Sequence, residues 1–187
     1  MSSENPFDAL ERFAEIERLV AKVYFRFSHL FLDRPELRDF WWEMAKEEEQ
    51  HRAILSACKA MIENCEDETL DPSISREKAD ELKARLLSYL GRGTPALGVE
   101  EAFRIALEIE SSEIDAIYGK LLQLGGPNIT KTMENLGVPA SIQRQKLRSA
   151  LREFCTDPEL LKAAEQLLPL SGKSLLIPLK FARLCRR

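Results

Sequence analysis

Apolar residues recur at steps of three and four along most of the chain and almost nowhere at steps of two. That period predicts helices throughout. The first covers about 6–31 and carries Phe13, Glu17, Val20, Tyr24 and Phe27 on one face. Asp33-Arg34-Pro35-Glu36 closes it and opens a second helix, 35–62, whose face reads Trp41, Met44, Glu48, His51, Leu55, Cys58. A polar link over 63–75 leads to a short amphipathic helix, 76–90, with Leu82, Leu86 and Leu90 on one side. Gly91-Arg92-Gly93-Thr94-Pro95 is a loop, since glycine and proline break both regular periods. A third long helix spans 99–123 and presents Phe103, Leu107, Glu110, Ile114, Ile117 and Leu121. A second short helix, 141–154, has an outer face rich in Arg, Lys and Gln. The last helical stretch lies within 157–185, either side of an interruption at Pro169 and Gly172 or across it.

Each long stripe is broken by a charged or titratable side chain: Glu17, then Glu48 with His51, then Glu110. A buried carboxylate is costly unless it is paired, so acids converging from three helices call for a compensating charge. Glu15, Glu47, Glu49 and Glu108 fall off the stripes and read as solvated. Tyr24 reads as a core aromatic or as a hydrogen-bond donor to one of the acids. Trp41 and Trp42 read as core and end packing.

A faint repeat orders these helices. Ala14-Glu15-Ile16-Glu17 resembles Leu107-Glu108-Ile109-Glu110 at an offset of 93, and Pro35-Glu36-Leu37 recurs as Pro158-Glu159-Leu160 at an offset of 123. Two helix pairs of common design predict an all-α, antiparallel four-helix bundle. The bundle would be a single domain over 1–187, with 76–90 and 141–154 as added short helices.

Charge and cysteine usage narrow the function. Against 27 Lys and Arg stand 31 Asp and Glu, a net −4 that argues against nucleic acid as the main partner. No apolar run reaches the about 20 residues of a membrane span, and the acidic start Met1–Pro6 does not read as a secretory signal. The apolar and basic stretch 174–187 reads as a closing helix with cations at its negative end, rather than a membrane-surface helix. Cys58, Cys65, Cys155 and Cys185 contain no Cys-x-x-Cys pair, so free thiols in a reducing cytoplasm are expected.

Glu48-x-x-His51 puts a carboxylate and an imidazole one turn apart on one face, and Glu110-x-x-Glu113 does the same with two carboxylates. With Glu17 these make an oxygen-rich set suited to iron, manganese or zinc. Glu17 with Tyr24 seven residues on, Glu48-x-x-His51 and Glu110-x-x-Glu113 together resemble the ferritin-like superfamily, in particular its rubrerythrin branch. The resemblance implies a carboxylate-bridged di-iron centre that reduces peroxide or oxidises Fe(II). It departs from the family in lacking a second Glu-x-x-His, since the offset of 123 lands on Ser171 and Ser174. The other histidine, His29, lies about 18 Å along the helix from Glu17. The pattern therefore predicts metal at Glu17, Glu48, His51, Glu110 and Glu113, with one well-held ion and the second weak or absent. Three functions stay open: an iron oxidoreductase needing an external electron donor, an inert metal protein, or a metal-free interaction module. A homodimer is the expected assembly.

Overall fold

Proline opens each helix of the strongest feature of the fold, an αα-hairpin. In a computed structural model, residues 6–62, 76–91, 97–112 and 140–167 are described. Among them are six helices and no strand. Helix α1 (Pro6–Leu30) and α2 (Pro35–Ile62) each begin at proline, whose missing N–H costs nothing in a first turn. Between them Arg34 N–H donates to Phe31 O at 3.0 Å, and Arg38 N–H to Arg34 O at 3.0 Å, so the chain reverses in one tight turn. Tyr24 against Trp41, Glu17 beside Glu48 and Glu11 bonded to Lys59 mark the register of an antiparallel pair.

Helix α1 is buried more widely than one stripe requires: Ile16, Leu19 and Val23 are covered as well as Phe13, Val20 and Tyr24. The reason is a second neighbour, α3 (Arg76–Gly91), which packs Ala79, Leu82 and Leu86 into the core beside α1. The Arg26 side chain fastens this contact by donating to the carbonyls of Tyr89 and Leu90 at 2.8 and 3.1 Å. Those carbonyls lie in the last turn of α3, where a cation meets the negative end of the helix dipole.

Helix α4 (Val99–Glu110) starts after Gly98 and ends earlier than the periodicity predicts. The expected helix ran to 123, but Ser111 is a turn and Ser112 a bend, and 113–123 lie outside the described residues. Two adjacent serines account for the stop. Ser112 bonds the Ile109 carbonyl through both its N–H and its hydroxyl, and Ser111 Oγ reaches Glu108 O at 3.4 Å. Such local bonds compete with helix continuation.

Helices α5 (Ala140–Phe154) and α6 (Pro158–Gln166) pack on each other and on α4. Their joint is capped twice: Asp157 Oδ1 accepts from Glu159 N–H at 2.9 Å, and Glu100 of α4 accepts from Thr156 and Asp157. The predicted final helix 157–185 is thus seen as α6, with residues beyond 167 outside the described set.

The pattern placed α5 at the periphery, with its glutamines on an outer face. Gln143, Leu147, Ala150 and Leu151 are instead buried, and α5 also touches α2. Trp41 ties the layers together, since its ring meets Tyr24 and Phe27 of α1 and Phe103 of α4. No described helix is long and apolar enough to cross a membrane.

Candidate metal centre

The buried polar residues of the described chain are Glu17, Ser28, Glu47, Glu48, His51, Glu110 and Gln143, so four of seven are acids and none is Lys or Arg. Glu17 comes from the middle of α1, where it replaces an apolar residue between Phe13 and Val20. Glu48 and His51 come from the middle of α2, one turn apart. The hairpin register sets them opposite each other. One ligand atom from each of Glu17, Glu48 and His51 lies within 4.8 Å of the others, and all three side chains are buried. Among the described residues no other group of three such side chains comes together in this way.

Glu48 is held on both sides. Its Oε2 is 3.2 Å from His51 Nδ1, and its Oε1 accepts from the Gln143 amide of α5. Glu110 is not one of that group of three; its Oε1 accepts from Tyr24 Oη at 2.7 Å. The buried phenol thus acts as the carboxylate donor foreseen for it. Glu113 lies outside the described residues. His29 is exposed and bonds the Phe25 carbonyl through Nδ1 at 2.7 Å, away from the cluster.

Glu47 corrects the sequence reading. Expected in solvent, it is 4% exposed and paired with Lys146 of α5. Its Oε2 is buried with no hydrogen-bond partner. Burial pushes the Glu47 carboxyl above its ordinary range, and the Lys146 contact only partly opposes that push. The physical reason for the burial is α5 itself, which covers the side of α2 next to the Glu48 stripe. Gln143 and Lys146 are one turn apart on α5 and meet the consecutive acids Glu48 and Glu47.

Gln143 and Lys146 were hidden by the Arg-, Lys- and Gln-rich composition of α5. The signal was nonetheless present: Gln143, Leu147, Ala150 and Phe154 step by four, three and four. That is an apolar stripe with one polar residue in it, the same signature that singles out Glu17.

Two carboxylates and one imidazole are an ordinary donor set for Fe, Mn or Zn. Bonds of about 2.0–2.2 Å to one ion bring donors within about 4.4 Å of each other. The observed spread of 4.8 Å needs only a small closure to meet this. The charges match too, because two carboxylates neutralise one divalent ion while the imidazole stays neutral. The residues fit such an ion. Beside Glu110 a groove of about 610 Å³ runs between α4 and the α5–α6 pair, with Arg104, Ser111, Ser112 and Arg144 on its walls.

No protein-family model, no curated protein and no solved structure matches this chain. The chemistry of the centre is therefore read from its own atoms.

Proposed function

We propose that this chain is a metal-binding protein of ferritin-like design, with iron held by Glu17, Glu48 and His51, and with Glu110 and Glu113 as the further carboxylates of its ligand set. The observation that carries the proposal is the convergence of three buried donors from two helices within 4.8 Å. A surface cluster of acids would carry far less, because water already solvates it. Here the acids are buried, and burying them without a cation is unfavourable.

When bound, iron would supply one-electron chemistry towards peroxide or dioxygen, or be itself oxidised; manganese would fit the same donors with redox chemistry of its own, and zinc would fit them without any. The chain's own contribution is positional. Glu17 and Glu48 supply charge, His51 supplies a neutral nitrogen, and Tyr24 holds the Glu110 carboxylate by a hydrogen bond. Second-layer bonds of this kind orient ligands. The groove beside Glu110 is open to small molecules as far as that carboxylate. The four cysteines contain no Cys-x-x-Cys pair, so turnover would draw electrons from an external donor. Exposed Leu32 and Trp42, close together at the α1–α2 turn, suit a homodimer contact.

The test is metal content per chain by elemental mass spectrometry after anaerobic purification from iron-supplemented cells, beside a Glu48→Ala/His51→Ala variant. Stoichiometric iron in the wild type and its loss in the variant are expected. Absence of metal from both proteins would overturn the proposal.

A second reading has one specific observation in its favour. Gln143 on Glu48, Lys146 on Glu47 and Tyr24 on Glu110 give three of the buried acids protein partners. A bundle that packs these acids without metal would serve as an interaction module, and the metal-free outcome of the same experiment selects it.

A further inference from the structure

Gln143 is the most completely buried of the polar side chains, at 1% exposure, and it reaches the centre from a helix outside the α1–α2 hairpin. A carboxylate can only accept hydrogen bonds, so the amide presents its nitrogen to Glu48. The two oxygens of Glu48 consequently serve different neighbours. Oε2 is 3.2 Å from His51 Nδ1, while Oε1 takes the Gln143 N–H from α5.

We infer that Gln143 restricts the centre to a single metal ion by occupying the edge of Glu48 that would bridge to a second. The inference rests on the metal-binding reading above and adds the number of ions and the residue that sets it. A bridging carboxylate engages one ion with each oxygen. An N–H donor fixed on Oε1 takes one of that oxygen's two lone pairs and turns its partial positive charge towards any approaching cation.

The neighbouring acids have protein partners of their own. Glu110 accepts from Tyr24, and Glu47 points at Lys146. Within the group of three, Glu17 and Glu48 bring −2, which one divalent ion neutralises. A second ion would bring +2 into a place where the contributions of α5 are a neutral amide and a lysine. Gln143 is thus a specificity-determining residue for metal number, and a carboxylate at its position would reverse the effect by adding both a charge and a bridging group.

The experiment compares wild type, Gln143→Glu and Gln143→Met, each equilibrated anaerobically with excess Fe(II), freed of loose metal and measured for iron per chain. Circular dichroism checks that each variant is folded. One ion is expected in the wild type, two in Gln143→Glu, and more than one in Gln143→Met, which frees Glu48 Oε1 without adding a charge. Two ions in the wild type, or only one in a folded Gln143→Glu or Gln143→Met, would overturn the inference and leave metal binding standing. An empty wild type would overturn the metal-binding reading and this inference with it. Should Gln143→Glu not fold, calorimetric titration of the wild type with Mn(II) decides alone: a stoichiometry of one supports the inference and two refutes it.

Discussion

Single residues in this protein are explained by what lies opposite them more than by their own type. Glu17 and Glu49 are both glutamates on long helices, but the first is buried and the second is half-buried and paired with Arg52 at 2.8 Å. The buried thiols follow the same logic. Cys58 and Cys155 are both free and buried, and burial raises both thiols. Burial, with Glu100 and Asp157 nearby, pushes Cys155 from the ordinary 9.0 up to about 11. Because the folded value is the higher one, this thiol favours the folded state fully below pH 9.0, and the benefit is lost as pH rises through about 11. Native protein at pH 8 should therefore resist iodoacetamide at Cys155, whereas the urea-unfolded chain should be labelled, as peptide mass spectrometry would read. Rapid labelling of the native thiol at pH 8 would contradict the burial described. The placement of Cys58 in the core was legible from its position on the Trp41–Leu55 stripe. The depth of Cys155 was not, since it follows the end of α5 and owes its cover to the chain folding back towards α4.

At the scale of elements, the helices were legible and their ends less so. Pro35 and Pro158 announce the starts of α2 and α6 because proline suits a first turn. The end of α4 depended on Ser111 and Ser112, whose back-bonding is a local option that no periodicity reveals. The joint between α5 and α6 is held from outside. Glu100 Oε1 accepts from Thr156 N–H, Thr156 Oγ1 and Asp157 N–H, each at 3.1 Å. Replacing Glu100 with Ala should lower stability by about 1–2 kcal/mol, the net worth of one or two such bonds to a charged acceptor. Urea unfolding followed by circular dichroism would measure this, and an unchanged midpoint would mean that the cap contributes nothing. The α5 helix is the clearest case of an element known by its pattern and misplaced by its composition. Its Arg and Lys residues suggested an outward helix, yet its narrow stripe of Gln143, Leu147, Ala150 and Leu151 faces inward. The basic residues lie around that stripe, with Arg148 and Arg152 bonded to Glu165 of α6.

For the whole molecule, the aromatic cluster about Trp41 is where three helices become one core. The indole is fully buried and contacts Tyr24, Phe27, Phe40 and Phe103, while Trp42 beside it is 45% exposed and meets Phe25 edge-on. Trp41→Ala should cost about 3–5 kcal/mol, as large-to-small changes in a core do. Trp42→Ala should cost about 1 kcal/mol or less, because much of its surface is already in water. Equal losses for the two variants in denaturant titration would place the core elsewhere. The sequence by itself determined the helices, the hairpin of α1 and α2, and the presence of acids and a histidine on buried stripes. Those features follow from periods and turn residues only a few positions apart. Tertiary structure alone decided which acids meet. Glu17 joined Glu48 and His51, Glu110 went to Tyr24, and Glu47 left solvent for Lys146. It also decided that Gln143, 95 positions along the chain from Glu48, would be the group touching that carboxylate. Helical periodicity says which face of a helix is buried, but not what faces it. That partner is chosen by how the helices dock, which depends on contacts distant in sequence.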